Sequence, residues 1–157
     1  MRKRLMTRDV QAAQSRELGC LDLQRSAVVE ITSEDSDFPI ESALLAEEKR
    51  GWCAADPGTQ IIRLLFDVPQ KVRRIALVFE ENETKRTQEF VLRWSYDLGQ
   101  SFREIVRQQW NFSPPATVRE IEEYQVELSN VTILELTIVP DINGGPARAC
   151  LKSLRLY

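Results

Sequence analysis

The chain has 157 residues, of which 43% are hydrophobic and 29% are charged, and its formal net charge is −3. This balance is typical of a soluble globular domain that is large enough for a two-layer core. The sequence contains no histidine, which excludes a Ser-His-Asp triad, a Cys-His pair and a histidine metal site. The acidic balance provides no overall field that would attract nucleic acid or an anionic membrane.

The three cysteines, Cys20, Cys53 and Cys150, are widely spaced and form no CxxC pair. An odd number of cysteines at such spacing predicts reduced, buried thiols in a reducing compartment. The amino-terminal segment is basic but has no apolar run of signal-peptide length, and no stretch approaches the ~20 apolar residues of a membrane helix. The sequence therefore predicts a cytoplasmic protein that does not associate with membranes.

The first part of the chain predicts an extension, a strand and a short helix. Residues 1–25 are polar and rich in arginine, so we expect a partly ordered extension before a domain that spans residues 26–157. The β-branched side chains of residues 27–32 predict a first strand. A short helix is predicted near residues 39–45, because Asp37 offers an N-cap and proline is tolerated in a first helical turn.

Beyond residue 60, apolar and polar side chains alternate in one segment after another. A period of two predicts antiparallel strands with one face in a core. Residues 119–128 fit either a helix or a strand, and turn signals that recur about every 8–12 residues favour the strand. A change of parity within residues 149–156 predicts a bulge in the last strand. The predicted strands are residues 60–67, 72–79, 89–96, 102–110, 119–128, 134–139 and 149–156.

The segment from Leu92 to Phe102 carries a family resemblance. Its Ser95-Tyr96-Asp97-Leu98-Gly99 turn and following Ser101-Phe102 are similar to the strand, Ser-x-Asp-x-Gly turn and Ser-aromatic signature of the galactose-binding-like jelly rolls. This family includes the discoidin and coagulation factor 5/8 type C domains and many carbohydrate-binding modules. Trp52 stands where the family usually buries a tryptophan. The resemblance implies an all-β, antiparallel two-sheet sandwich that binds carbohydrate, without catalysis, through loops at one end.

A sugar site combines an exposed aromatic face with polar side chains that bind hydroxyls. Trp110 and Phe112 border a loop stiffened by two prolines, and Asn111 lies between them. Arg107 and Arg119 flank this segment and offer hydrogen-bond donors. These five residues are the predicted ligand-binding set, although the two aromatic residues fit a core position equally well.

In sugar-binding members of the family, the loop before this tryptophan often holds a structural calcium ion. That loop commonly contains an Asp-Gly pair. This sequence lacks that pair. Asp35, Asp37 and Glu47 would still supply the hard oxygen ligands that calcium prefers. The alternative is that these acidic loops are only solvated, so calcium is the one cofactor that remains open.

Parts of the sequence bear on two other functions, catalysis and protein binding. Glu120 and Glu122 would share one face of a strand, ~6.6 Å apart along the chain, but nothing places a sugar bond between them, so no enzyme is predicted. Residues 33–36, 43–45 and 50–55, together with Gly58, are similar to the amino-terminal domain of the X-ray-repair cross-complementing scaffold protein. That resemblance implies an intracellular protein-interaction module. The predicted partner is therefore a carbohydrate or a protein rather than nucleic acid.

Overall fold

The protein folds almost entirely into β-strands in the computed structural model, which describes residues 19–45 and 50–157. All strand pairs are antiparallel, which confirms the predicted all-β class. No helix within the described ranges is long and apolar enough to cross a membrane. The described elements are α1 Leu23–Ser26, β1 Ala27–Ile31, α2 Glu41–Leu44, β2 Trp52–Pro57, β3 Gln60–Glu80, β4 Arg86–Ser95, β5 Arg103–Phe112, β6 Arg119–Val139, β7 Arg148–Leu151 and β8 Ser153–Leu156.

The two longest strands, β3 and β6, organise the fold, because each has 21 residues and they pair along most of their length. Their register shifts between Leu65 and Arg74, which divides β3 into two halves. The first half of β3 also pairs with β1, and the second half pairs with β8. The second half of β6 pairs with β4, and β4 pairs with β5. The two long strands therefore contribute to both layers of a sandwich.

One hydrophobic core lies between the two layers. Alternate residues of β3, such as Ile62, Leu64 and Leu77, are fully buried, as a period of two requires. The ring of Phe79, in the second half of β3, lies 5.2 Å from the ring of Phe90 on β4. Because these two rings come from opposite layers, their contact closes the two-layer jelly-roll sandwich that the sequence predicts.

The structure joins some of the predicted strands and separates another. Residues 60–67 and 72–79 belong to the single strand β3, and residues 119–128 and 134–139 belong to β6. Residues 149–156 are two strands rather than one bulged strand, because β7 pairs with β2 while β8 pairs with β3. The change of parity that suggests a bulge arises at Lys152, where the chain passes from one sheet to the other.

A disulfide joins Cys53 of β2 to Cys150 of β7, and the two residues lie opposite each other in the two-stranded sheet. The prediction of reduced thiols is therefore wrong for this pair. A separation of 97 residues hides the pairing in the sequence, and only the register of β2 and β7 brings the two side chains together. Because disulfides persist mainly in oxidising compartments, these cysteines no longer support the cytoplasmic location, which stays a prediction.

The chain before β1 packs on the sandwich from Leu21 onward. The Leu21 backbone N–H donates to the Leu156 carbonyl oxygen at 2.8 Å, and the Leu23 side chain is buried in the core. Part of the predicted extension thus contacts the domain predicted at residues 26–157. Residues 1–18 lie outside the described part of the chain.

An ion-pair cluster covers the outer face of the sheet where β3, β6 and β4 run side by side. The side chain of Glu135 is 1% exposed. Its carboxylate accepts hydrogen bonds from Arg63 Nε at 2.6 Å and from Arg93 Nε at 2.8 Å. Both guanidinium groups lie over the ring of Phe102, 5.8 and 4.4 Å from its centroid. One carboxylate therefore offsets two neighbouring positive charges.

We expect Glu135→Gln to lower the free energy of unfolding by about 2 kcal/mol, because a neutral amide cannot offset two guanidinium charges. Urea unfolding followed by circular dichroism measures this change. The control is Glu127→Gln, which alters an exposed carboxylate on the same strand and should change stability by less than about 0.5 kcal/mol. Equal effects of the two substitutions would contradict the role assigned to Glu135.

Candidate functional site

A cleft opens at the end of the sandwich where β3 ends and β2 begins, and we call it the loop-end cleft. Its volume is about 430 Å³. The loop after β1, the start of β2, the β3–β4 loop and the β7–β8 junction line it, and the Cys53–Cys150 disulfide lies in its wall. The side chains that give it its chemistry are those of Phe38, Arg50, Glu80, Asn82, Glu83 and Lys152.

Gly51 brings two walls of the loop-end cleft together. Its φ is +82°, and a Cβ at this position would lie 2.8 Å from the Leu151 carbonyl oxygen. Glycine therefore allows the start of β2 to pass this close to the β7–β8 junction. The next residue, Trp52, is fully buried, as its place in the resemblance implies. Its Nε1 donates to the Ser33 carbonyl oxygen at 3.1 Å, which fixes the loop after β1.

The loop-end cleft combines one aromatic ring with planar polar side chains. Phe38 is half-buried, and the Arg50 guanidinium lies 5.1 Å from its ring centroid. Asn82 and Glu83 are exposed in the β3–β4 loop. An aromatic face beside a few planar hydrogen-bonding groups is the composition that suits a small polar ligand with one apolar side.

Two adjacent carboxylates of the loop-end cleft pair with basic side chains. Glu81 accepts a hydrogen bond from Arg86 Nε at 2.7 Å and two more from backbone N–H groups of the loop. Burial alone would raise the pKa of Glu81, but these hydrogen bonds together lower it, so the group stays ionised. Glu80 lies 3.8 Å from Lys152 Nζ and 3.3 Å from an Arg119 nitrogen.

A second recess, which we call the edge groove, lies along the end of β5, beside the connection that leads to β6. Among the described strands, β5 pairs only with β4, and the first half of β6 pairs only with β3. Both are therefore sheet edges. Residues 113–118 connect them and are held by a bridge between Ser113 and Thr117. A shallow cavity of about 490 Å³ opens there, and it is lined by Gln108, Gln109, Trp110, Asn111 and Thr117.

The inner faces of the two edge strands bring aromatic and acidic side chains together. Trp110 on β5 is half-buried and lies opposite Gln88 of β4. Gln88 Nε2 donates to Glu120 Oε1 on β6 at 3.2 Å. Farther along the same face of β6, the ring of Tyr124 meets the ring of Phe90 edge-on, with 6.4 Å between centroids. Side chains of β4 and of the first half of β6 thus meet between the two layers.

Glu120 and Glu122 share the inner face of β6, as the alternation of the sequence predicts. Glu120 is fully buried. Its burial, together with the hydrogen bond and negative charge of Glu122, raises the pKa of Glu120 to about 9. Glu120 therefore keeps its proton at neutral pH, because two carboxylates in contact do not both ionise. The shared proton also accounts for Glu120 Oε2, which has no other partner in the described structure.

Two more buried side-chain polar atoms have no hydrogen-bond partner among the described residues. They are the indole Nε1 of Trp110 and the hydroxyl of Tyr124. Burial and the nearby carboxylates of Glu122 and Glu120 raise the pKa of Tyr124 to about 12, so its hydroxyl remains protonated. Buried tryptophan and tyrosine donors are normally satisfied, so these two atoms are exceptions among the described residues.

A buried chain of hydrogen bonds connects the two recesses. Glu81, in the loop-end cleft, accepts from Arg86, and Arg86 Nη1 donates to Gln88 Oε1 at 3.2 Å. Gln88 lies opposite Trp110 of the edge groove and donates to Glu120. Both Arg86 and Gln88 are buried, so this chain fixes the position of one recess relative to the other.

The five residues predicted to bind a ligand do not converge on one site. Trp110 lies in the edge groove. Asn111 lines the same cavity from the other face of β5, and its Oδ1 accepts from the Thr87 hydroxyl at 2.6 Å. Arg107 is exposed on the outer face of the sheet, where it pairs with one carboxylate of β4 and one of β5. The structure therefore brings Trp110 and Asn111 together but leaves Arg107 apart from them.

Phe112 and Arg119 also differ from the prediction. Phe112 is fully buried, and the Arg86 guanidinium lies 4.8 Å from its ring centroid, so the ring is not available to a ligand. It shares the inner face with Trp110 but lies where the core closes over it. Arg119 lies at the start of β6 and pairs with Glu80 beside the loop-end cleft.

The residues predicted to bind calcium do not form a ligand cluster in the described structure. Asp35 Oδ1 accepts from the Asp37 backbone N–H at 2.9 Å and so stabilises its own turn. Asp37 is exposed, and Glu47 lies outside the described residues. Within residues 19–45 and 50–157, no three side chains of His, Cys, Asp or Glu lie close enough together to hold a metal ion. Calcium stays a prediction.

The residues of the loop-end cleft carry no pattern in the sequence that predicts a binding site. Asn82 and Glu83 belong to a charged loop that by itself indicates only a soluble surface, and Arg50 belongs to a charged turn. Phe38 has no periodic neighbours that would distinguish it from a core residue. These residues come together only because β2, β3 and β7 end at the same place.

The fold is similar to that of several solved carbohydrate-binding modules. The family 32 module of NanJ from C. perfringens, in complex with galactose, has a TM-score of 0.66 and 12% identity, and the match covers 87% of this chain and 96% of that one. CpGH89CBM32-5 from Clostridium perfringens, in complex with GalNAc-β-1,3-galactose, has a TM-score of 0.65 and 17% identity, with 88% and 99% covered. The family 32 module of AlyQ, in complex with 4,5-unsaturated mannuronic acid, has a TM-score of 0.59 and 14% identity, with 84% and 95% covered.

These likenesses establish the fold of this protein, a galactose-binding-like jelly roll of the kind found in family 32 carbohydrate-binding modules. Their low identities do not carry the ligands over to this chain. No protein-family model and no curated protein sequence matches the chain. Its function therefore has to be argued from its own residues.

Proposed function

We propose that this protein is a non-catalytic carbohydrate-binding module and that its sugar binds in the loop-end cleft. The observation that carries the proposal is the meeting of an aromatic ring, Phe38, with the planar polar side chains of Arg50 and Asn82 in one open recess. The fold adds support, since solved proteins that share it were crystallised with galactose and with GalNAc-β-1,3-galactose.

Each side chain of the loop-end cleft has a role that a sugar ring requires. The apolar C–H side of the ring packs on Phe38 and removes both surfaces from water. The amide of Asn82 donates to one hydroxyl and accepts from its neighbour, while Arg50 donates and Glu83 accepts at further hydroxyls. Because Gly51 and the Cys53–Cys150 disulfide fix the walls, little ordering is needed when the sugar binds.

The non-catalytic assignment is supported by the geometry of the carboxyl groups. Glu120 and Glu122 are in contact and share a proton at neutral pH. A glycosidase instead places two carboxyl groups about 5–10 Å apart, on opposite sides of the bond that is cleaved. Among the described residues that line the loop-end cleft, Glu80 and Glu81 are engaged by basic partners, which suits them to holding the loop rather than to acid–base work.

We expect the wild-type protein to be retained on a glycan array and Asn82→Ala to weaken binding of the retained glycan about tenfold. The reason is that the amide supplies hydrogen bonds worth about 1.4 kcal/mol in total. Isothermal titration calorimetry with that glycan measures the change.

The matched control is Asn143→Ala, which removes an exposed asparagine in the β6–β7 loop, away from the cleft. It should leave the affinity unchanged. If no glycan retains the wild-type protein, the proposed function is wrong and a protein-interaction module is favoured. If Asn82→Ala binds as tightly as the wild type, the sugar does not occupy the loop-end cleft.

A further inference from the structure

We infer that the Cys53–Cys150 disulfide is a site of reversible thiol–disulfide exchange, which a dithiol reductant reaches through the loop-end cleft, and that its reduction weakens binding in that cleft. The position of the exchange site does not depend on the proposed function. The effect on a sugar does rest on it, because that effect requires the sugar to bind in the same cleft.

The position of the disulfide makes it accessible in the folded protein. Both cysteines are half-buried, and both line the loop-end cleft. The residues on either side of them are fully buried, and these are Trp52, Ala54, Ala149 and Leu151. The alternation of β2 and β7 thus turns the disulfide away from the core. A small reductant that enters this cleft of about 430 Å³ therefore reaches the bond without unfolding the protein.

The exchange needs only a dithiol as its co-reactant. A thiolate of the reductant attacks one sulfur atom of the Cys53–Cys150 bond and forms a mixed disulfide, and the other cysteine leaves as a thiolate that takes up a proton. The second thiol of the reductant then displaces the remaining cysteine and closes the reductant's own disulfide. Two electrons and two protons pass in total from the dithiol to the two cysteines, and an oxidised dithiol reverses the reaction.

The same disulfide ties together two walls of the cleft. The Cys53 N–H donates to the Phe38 carbonyl oxygen at 3.2 Å, and the Cys53 carbonyl oxygen accepts from the Asp35 N–H at 2.8 Å, so Cys53 holds the loop after β1. On its other side, the pairing of β2 with β7 becomes irregular directly after the Cys53–Cys150 pair. Breaking the bond therefore lets β2 and the loop that carries Phe38 shift relative to β7. A sugar ring then loses the fixed spacing between its aromatic and polar contacts.

Reduction of the folded protein by dithiothreitol tests whether the disulfide is reached from the cleft. Alkylation with N-ethylmaleimide and mass spectrometry should find two more modified thiols after reduction, while the strand signal in circular dichroism is retained. The rate of reduction should stay constant when urea is added below the unfolding transition, because attack from the cleft requires no unfolding. A rate that rises steeply with urea, or loss of the strand signal on reduction, would overturn the inference.

Binding to a glycan array before and after reduction tests the effect on the cleft. The reduced wild type should bind the retained glycan about tenfold more weakly, and reoxidation should restore the affinity. The control combines Cys53→Ala with Cys150→Ala, and it should bind as weakly as the reduced protein whether or not dithiothreitol is present. Equal binding by the oxidised and reduced wild type would overturn the inference and leave the proposed function intact. If neither state retains any glycan, the proposed function and the effect on binding are both wrong, and the rate of reduction alone decides whether the exchange site exists.

Discussion

Glu120→Gln is expected to stabilise the protein by about 2 kcal/mol at pH 8. Burial, and then the contact with Glu122, raise the pKa of Glu120 from 4.5 to about 9 in the folded state. Between these values the unfolded chain releases the proton and the folded protein keeps it, so the stability of the wild type falls as the pH rises from about 4.5 to 9. Glutamine cannot ionise, and its amide still accepts from Gln88 and donates to Glu122.

Thermal unfolding at intervals from pH 4.5 to 9 measures the effect. The wild-type stability should decline across this range, while the decline should be much smaller in Glu120→Gln. Glu123→Gln is the control, because Glu123 is exposed on the outer face of the same strand and pairs with Arg74. It should change stability by less than about 1 kcal/mol. Parallel pH profiles for the wild type and Glu120→Gln would show that Glu120 is ionised in the folded protein.

Loss of the Cys53–Cys150 disulfide is expected to lower the free energy of unfolding by about 3 kcal/mol. The bond closes a loop between residues 97 apart, and a loop of this length restricts the unfolded chain strongly. The prediction is measured by urea unfolding with and without a reducing agent. Alkylation of the denatured protein should find two more reactive thiols after reduction than before it.

The substitutions Cys53→Ala and Cys150→Ala provide the internal control, because either one removes the whole bond. Each single variant should lose nearly as much stability as the double variant, so their effects should not add. If the two thiols were reduced, as their spacing in the sequence suggests, two small effects would add to give the effect of the double variant. That result, with no change on reduction, would contradict the disulfide.

The alternation of side chains predicts the fold well, because burial of one strand face is a local property of the sequence. Ile62 and Leu64 on β3 and Leu134 and Leu136 on β6 are buried as their parity requires. What the alternation does not reveal is which strands are continuous. Pro69 and the polar residues around it suggest a loop, whereas hydrogen bonds to neighbouring strands carry β3 through this segment with shifts in register.

The candidate sites were harder to predict, because they are built from segments that are distant in sequence. Trp110 and Phe112 have equal parity, and only the depth of the core at each position separates a ring at the groove from a ring in the interior. The loop-end cleft joins Phe38, Arg50 and Asn82 through the register of β2, β3 and β7. The Cys53–Cys150 pair is hidden for the same reason. No local pattern carries this information.

A crystal structure of the protein with the glycan that it retains tests the central claim most directly. We expect one sugar ring to lie against Phe38, with its hydroxyls about 2.7–3.2 Å from the side chains of Asn82 and Arg50. The cleft is already shaped by Gly51 and the disulfide, so the backbone should not move. A glycan bound on the outer face of the sheet, with nothing against Phe38, would contradict the account.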